Sequence, residues 1–175
     1  EKMVRAGLRH TLLGGERCTK EEFKAIGNTG LEGPELVEAC HILAGKYPEV
    51  FRQATFVTGI RSETKESVAL LGAYARKANL DFAAFHPLTP FPGTPLWDQA
   101  TREHWIEEED FSKYDMFTPI MPSETLNRAE IAHYTRKLYQ DFVLKRPFQY
   151  VRGLLSPFSI RRRLHWWFLV SISRV

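Results

Sequence analysis

Cysteine is scarce in this chain, whose 175 residues include only Cys18 and Cys40. Two cysteines 22 residues apart exclude a self-contained site of four cysteine ligands, for zinc or an iron–sulfur cluster, and also exclude a disulfide framework. The composition excludes a disordered or collagen-like chain, because 43% of the residues are hydrophobic and 13% are aromatic. We therefore expect a folded chain whose cysteines are reduced thiols, as in a cytoplasmic protein.

Acidic residues are missing from the end of the chain. Residues 142–175 carry seven Lys/Arg and no Asp/Glu, whereas the preceding 141 residues carry 17 basic and 21 acidic side chains. The net charge of +3 therefore belongs to the tail, which argues against a nucleic-acid-binding surface along the whole chain. The first residues read as the last turns of a helix that closes at Gly7, so we expect the C-terminal piece of a longer protein.

The first hundred residues alternate between strand and helix patterns. Short apolar runs at 10–13, 53–58 and 81–85 predict strands, and amphipathic stretches at 34–46 and 64–77 predict helices. This alternation is typical of a parallel sheet with crossover helices. Three strands do not close a barrel, so the pattern fits either a small open sheet or the second half of a larger barrel.

The pattern changes beyond residue 100. An irregular region, acidic and then aromatic, precedes an amphipathic helix predicted at 127–145. Asn127 is its cap, with Glu130 three residues later, and Leu144 is expected on its apolar face. We divide the chain into a half-barrel at 1–100, a loop and helix at 101–146, and a basic, aromatic tail at 147–175.

The tail places Arg161, Arg162 and Arg163 directly before an aromatic run. Cations beside tryptophans suit a helix that lies on a membrane surface, and the apolar run at 164–172 is too short to span a bilayer. Peripheral membrane contact through residues 153–175 is one interpretation. Packing against the missing half of the protein or a partner is the second, and disorder is the third.

Glycines and polar residues lie at the end of each predicted strand, where parallel α/β folds bind ligands. They are Gly15 and Glu16 after the first strand, Thr58, Gly59 and Glu63 at the second, and His86, Pro87, Leu88 and Thr89 after the third. Glycine lets a ligand approach the backbone, and a carboxylate accepts hydrogen bonds from an ammonium group or ribose hydroxyls. The alternative is that these residues form ordinary turns, with Glu63 favouring the start of the next helix.

Three sequence segments carry a resemblance to a known family. They read LLGGE at 12–16, FVTGIRSET at 56–64 and HPLTPFPGTPLW at 86–97. Together they resemble the last three strand ends of the radical S-adenosylmethionine (SAM) superfamily, in particular its cobalamin-dependent branch. The segment DFSKYDMFTPIMPSE at 110–124 is similar to the region after the barrel in the anaerobic magnesium-protoporphyrin monomethyl ester cyclases of that branch.

The resemblance implies an α/β fold, the second half of a partial (β/α)6 barrel followed by a mainly helical extension. In this family a [4Fe–4S] cluster reduces bound SAM to a 5′-deoxyadenosyl radical, which abstracts hydrogen from a small-molecule substrate. Contact with SAM is implied for Gly15, Glu16, Thr58, Gly59, Glu63 and the backbone of His86, Pro87, Leu88 and Thr89. Tyr114 and Asp115 are expected either to line the substrate mouth or to form an aromatic plug beneath the barrel.

The sequence departs from the family in its cysteines. The cluster is held in the family by a C-x-x-x-C-x-x-C loop, and neither Cys18 nor Cys40 forms one. A second departure is Arg61-Ser62, where the family has Pro-Gly. We expect the cluster loop, and any cobalamin-binding domain, to lie in an N-terminal half that partners this chain. The resemblance further implies an electron donor such as flavodoxin or ferredoxin, and no nucleic acid.

The expected reaction class is radical hydrogen abstraction, either anaerobic cyclisation of a porphyrin or cobalamin-dependent methylation, with this piece inactive alone. One rival is a non-redox binding module that docks on a membrane through the tail. The other is a barrel aldolase or isomerase that uses Glu16 and His86 as acid and base.

Overall fold

A three-stranded parallel sheet organises the protein. The computed structural model describes residues 1–26 and 33–172, so the glycine-rich stretch at 27–30 lies outside the described part. Strands β1 (His10–Glu16), β2 (Phe51–Thr58) and β3 (Phe82–Pro87) pair in the order β1-β2-β3. The predicted α/β fold with a parallel sheet is confirmed, whereas its membership of a larger barrel stays a prediction.

Helices connect the strands and follow them. They are α1 (Lys2–Arg5), α2 (Lys20–Ala25), α3 (Gly33–Lys46), α4 (Lys65–Lys77), α5 (Pro95–Arg102), α6 (Arg128–Leu144), α7 (Pro147–Leu154) and α8 (Ser159–Ile172), with a 3-10 turn at Phe111–Lys113. Within residues 1–26 and 33–172, no helix combines the length and apolar character needed to cross a membrane.

Side chains on one face of the sheet form the main core. Successive residues of a strand point to opposite faces, so Ala54 and Phe56 of β2 and Ala83 and Phe85 of β3 all meet the helices. The rings of Phe56 and Phe85 stack with their centroids 5.4 Å apart. The partners that α3, α4 and α6 contribute to this core include Leu36, Cys40, Val68, Leu71, Ile131, Leu138 and Phe142.

The opposite face of the sheet is covered at its amino end and open over β1. Phe168 of α8 stacks on Phe82, with a centroid separation of 3.9 Å, and also packs on Phe51. Further along the strands, Leu12 is 60% exposed. Two residues later, Gly14 of β1, Thr55 of β2 and Ala84 of β3 lie side by side. Leu12 and Gly14 of β1 are exposed, whereas Ala84 of β3 is still buried with Phe168, so the part of this face that the described helices leave open lies over β1.

The outer edge of β3 is covered by a side chain rather than by a strand. The hydroxyl of Tyr139 on α6 accepts a hydrogen bond from the Phe85 N–H (2.9 Å) and donates one to the Phe85 carbonyl (3.0 Å). A tyrosine thus satisfies both backbone groups of an edge residue, which protects this edge from pairing with other chains. No strand among the described residues pairs with the outer edge of β1.

The structure corrects several expectations. Strand β3 continues through His86 and Pro87 instead of ending at Phe85, because a proline is tolerated on an edge strand. Helix α5 was not expected, although Thr94 caps it and Pro95 occupies its first turn. Leu144 was expected on the buried face of α6 and is exposed. The tail forms α7 and α8, and α8 packs against this chain's own sheet.

Candidate functional site

The predicted strand-end residues meet at one edge of the sheet. The register pairs Glu16 with Phe56, Val57 with His86 and Thr58 with Pro87, so all three carboxyl ends finish side by side. A bulge between Gly14 and Glu16 shifts the end of β1. Gly15 is the extra residue of this bulge.

Glu63 is held in a buried ionic network. One carboxylate oxygen accepts a hydrogen bond from the Arg17 guanidinium at 2.5 Å, and the other accepts one from the Gly59 N–H. Arg17 also donates to the Val57 carbonyl (2.8 Å) and to Glu22 of α2 (2.5 Å). Both Arg17 and Glu63 are fully buried, so one arginine connects the end of β1 to α2 and to the turn after β2.

Burial and charge act against each other in this network. Burial opposes the charge of Arg17, but the carboxylates of Glu63 and Glu22 outweigh it and raise the pKa of Arg17. Burial raises the pKa of Glu63, while Arg17 and the Gly59 N–H favour its ionised form. Each oxygen of the Glu63 carboxylate already accepts a hydrogen bond, one from Arg17 and one from the Gly59 N–H. Little hydrogen-bonding capacity is therefore left for a ligand, and Glu63 stabilises the turn instead.

The turn after β2 is fixed by several polar contacts. Gly59 adopts φ +70°, a conformation that favours glycine, and a Cβ there would lie 3.2 Å from the Ile131 side chain. The carbonyl of Glu63 accepts hydrogen bonds from the hydroxyls of Ser123 (2.9 Å) and Thr125 (2.7 Å). Thr58 directs its hydroxyl to Thr135 of α6 at 2.8 Å, so this predicted site residue contacts the helix layer.

Glu16 differs from Glu63 in its exposure and in its hydrogen bonding. Its side chain is half-buried, and within the described part of the chain no donor hydrogen-bonds its carboxylate. Burial raises the pKa of Glu16. Its backbone adopts φ +39°, which is unusual for a residue other than glycine, and such strain is often found at functional sites.

The end of β3 supplies backbone groups and an imidazole. The Leu88 N–H donates to the Thr58 carbonyl (2.7 Å), and the Thr89 hydroxyl donates to the Pro87 carbonyl (3.1 Å). Burial lowers the pKa of His86, which favours its neutral form. Since its Nδ1 lies 3.3 Å from the Met116 carbonyl, Nδ1 is the donor and Nε2 is left as an acceptor.

Comparison with known proteins adds a second line of evidence, although no protein-family model matches the chain. Over 142 residues, 81% of the chain and 22% of the relative, it is 31% identical to an anaerobic magnesium-protoporphyrin IX monomethyl ester cyclase from Cereibacter sphaeroides. A protein of the same name from Rubrivivax gelatinosus is 28% identical over 82% of the chain and 25% of its own length. The chain is a relative of these cyclases.

The same region is also related to a differently named protein. An uncharacterized methyltransferase from Pyrococcus horikoshii is 26% identical over 82% of the chain and 31% of its own length. The matches thus span about a fifth to a third of the curated relatives. They confirm the resemblance carried by the motifs, and the names of these relatives are those of enzymes.

The cysteines of this cyclase relative do not form a cluster site. Cys18 is half-buried and Cys40 is buried, and burial raises the pKa of each thiol to about 11. The described residues contain no group of three or more His, Cys, Asp or Glu side chains that could hold a metal ion. The donor set of this chain therefore does not fit an iron–sulfur cluster, which requires thiolate ligands.

The two residues expected near the substrate lie in the loop before α6. Tyr114 packs against Trp97 and Phe111, and its hydroxyl donates to the Glu108 carbonyl (3.0 Å). The Asp115 carboxylate accepts hydrogen bonds from two backbone N–H groups at 2.8 Å, those of Phe117 and Thr118. Asp115 thereby shapes the segment that brings the Phe117 ring to His86, with a centroid separation of 5.3 Å.

Sequence reasoning included all the strand-end residues but missed Arg17. An arginine directly after a strand gives no local sign of its partner, and Glu63 lies 46 residues further along the chain. Ser123, Thr125 and Thr135, which hold the turn and Thr58, were also missed, because isolated hydroxyl residues carry no sequence signal.

Proposed function

We propose that the chain is the C-terminal part of a radical SAM enzyme and that SAM binds at the carboxyl edge of β1, β2 and β3. The observation that carries the proposal is Glu16, a half-buried carboxylate beside the open sheet face, to which no donor of the described residues forms a hydrogen bond. SAM has an ammonium group and ribose hydroxyls, which are the donors that such a carboxylate accepts.

The remaining strand-end residues have supporting tasks in this proposal. Glu16 would hold the amino acid part or the ribose of SAM, and the backbone from His86 to Thr89 would meet the adenine edge. Gly59 would allow close approach, with Glu63 and Arg17 fixing its turn. The contact between His86 and Phe117 would help to keep water from the ligand. Bound SAM would supply the radical for hydrogen abstraction from the substrate.

The cluster has to come from elsewhere in this proposal. Since the described residues do not fit it, we place its cysteine loop, and any cobalamin site, in an N-terminal part of a longer protein. The matched segments of the relatives are 22–31% of their lengths, which leaves room for such a part. The 175 residues alone would then be inactive. A flavodoxin or ferredoxin would be the electron donor, and the reaction would be cyclisation or methylation, following the names of the relatives.

The test uses the longer protein, reconstituted with iron and sulfide without oxygen. Glu16→Gln should weaken SAM binding in equilibrium dialysis by about tenfold or more, because hydrogen bonds to charged groups contribute most. Glu38→Gln on the exposed side of α3 is the matched control and should bind as the wild type does.

Three results would contradict the proposal. The first is equal SAM affinity in Glu16→Gln and the wild type. The second is a parent gene without a three-cysteine loop. The third is activity in air without iron, which would instead favour the aldolase or isomerase.

A further inference from the structure

A second concave site lies away from the strand ends described above. A groove of about 1180 Å³ runs between the end of α3 and the pair of helices α7 and α8. Arg52, near the start of β2, and Asn79, just before β3, are part of its lining. The groove is therefore at the amino ends of the strands, opposite the proposed SAM site.

All charged side chains among the described lining residues are cationic. Arg52, Arg152 and Arg161 line the groove together with His41, and no carboxylate is among its described lining residues. Arg52 and Arg161 share one buried acid, Asp81, at 3.0 Å and 2.5 Å. Arg52 and Arg161 thus share one counterion, and Arg152 adds positive charge that no acid among the described residues balances.

Donor capacity is left over in this cluster. The Nε of Arg161 is buried and has no hydrogen-bond partner within the described residues. The exposed Arg152 makes no hydrogen bond or ion pair with the described part of the chain. Burial lowers the pKa of Arg52, and the charges of Arg161 and Arg152 lower it further, whereas the Asp81 carboxylate acts to raise it. An added anion would reduce the repulsion between these cations and satisfy the exposed donors of Arg152.

The wall formed by α7 is apolar on its exposed side. Phe148, Val151 and Leu155 recur at intervals of three and four residues, which puts them on one face of the helix. Phe148 is 88% exposed and Leu155 is 77% exposed. The buried residues Tyr150 and Gly153 of α7 show that the helix packs through its other face.

We propose that this groove binds an amphipathic organic anion. Its carboxylate or phosphate head contacts Arg152 and Arg161, and its hydrocarbon tail lies along Phe148, Val151 and Leu155. An inorganic anion would leave the apolar wall uncovered, and a neutral hydrocarbon would leave the cations unbalanced. Because the cationic and apolar surfaces lie in one groove, the groove fits a ligand that has both a charged head and an apolar tail.

Calorimetric titration of the 175-residue chain with three probes tests each part of this ligand. Octanoate carries head and tail, acetate carries the head alone, and 1-octanol carries the tail without charge. We expect octanoate to bind at least about tenfold more tightly than either of the others. Acetate binding as tightly as octanoate would overturn the assignment of a tail-binding wall.

Paired variants separate the groove from the rest of the surface. Arg152→Gln and Leu155→Ser should each weaken octanoate binding by about fivefold or more. Arg163→Gln and Leu144→Ser change exposed residues of the same types outside the groove and should have no effect. All four side chains are exposed, so the variants should fold, and unchanged far-ultraviolet circular dichroism confirms this.

The source of the anion is decided by a flotation experiment with phosphatidylglycerol vesicles. Octanoate binding that is lost in Arg152→Gln supports a groove for single amphipathic molecules. Flotation with vesicles but no octanoate binding would overturn the groove and indicate a membrane-docking surface. Equal octanoate affinity in Arg152→Gln and Arg163→Gln would overturn the proposed head-binding role.

Discussion

The ion pair between Arg17 and Glu63 allows a direct test of what stabilises the strand ends. In Glu63→Ala, the fully buried Arg17 keeps Glu22 and the Val57 carbonyl but loses its strongest partner, and the Gly59 N–H loses its acceptor. Removing one partner of a buried pair costs about 3–5 kcal/mol. For a chain of this size, 1 kcal/mol lowers the melting temperature by about 2–4 °C, so we expect a decrease of about 6–20 °C.

A double-mutant cycle separates the pairwise interaction from the loss of packing. Glu63→Gln keeps the shape of the side chain and an acceptor for Gly59, so it should cost less than Glu63→Ala. Arg17→Met combined with Glu63→Gln should lose less stability than the two single variants added together, with a coupling of about 0.5–3 kcal/mol. The measurement is urea unfolding followed by circular dichroism at pH 7.

The exposed Glu38 provides the control, since Glu38→Gln should leave the unfolding midpoint unchanged. A Glu63→Ala protein within about 1 kcal/mol of wild type would refute the reasoning, because the loss expected when a fully buried ion pair is broken would then be absent. Additive losses in the cycle would show that the two residues contribute separately.

Three further variants test other features of the fold. Tyr139→Phe should lower the free energy of unfolding by about 1–3 kcal/mol and speed hydrogen exchange at the Phe85 amide, because both edge groups of Phe85 lose their partner; unchanged exchange would contradict the covered edge. Gly59→Ala should cost at least about 1–2 kcal/mol in urea unfolding because of the left-handed backbone, whereas Gly45→Ala, in open space within α3, should be neutral or stabilising. Burial disfavours the Asp81 carboxylate, but the histidine and arginines around it outweigh burial and lower its pKa from 3.8. The stabilisation by Asp81 is therefore present above pH 3.8 and is lost as the pH falls further. Asp81→Asn should have a lower free energy of unfolding than the wild type at pH 7 and should lose less of it on acidification. Parallel curves of unfolding free energy against pH for the two proteins would contradict this.

Features encoded within a few residues could be predicted from the sequence. Asn127 caps α6 and forms a reciprocal pair with Glu130, as expected from their spacing of three residues. Thr64 caps α4 in the same way with Ser67. The order of strands and helices was also predictable, because short apolar runs alternating with amphipathic stretches specify a parallel α/β layer whatever surrounds it.

Features that depend on distant partners could not be predicted. The basic tail suggested a membrane surface or a partner, yet Arg161 pairs with Asp81, which is 80 residues earlier. Nothing near Asp81 in the sequence indicates that its partner is an arginine of the tail. The hydrogen bonds of Tyr139 to the edge of β3 could not be predicted either. From the sequence alone, a tyrosine on the apolar side of a helix is expected to be an ordinary core residue.

The candidate site shows the same limit in two residues of one type. Glu16 and Glu63 both follow strand ends, and the sequence alone assigns them the same role as acceptors for a ligand. In the fold, Glu63 has donors on both oxygens, from Arg17 and Gly59, so its replacement should affect stability first. Glu16 has a strained backbone and no hydrogen-bond donor within the described residues, so its replacement should affect ligand binding first. Environment rather than residue type therefore separates a carboxylate that holds the turn from one left available for a ligand.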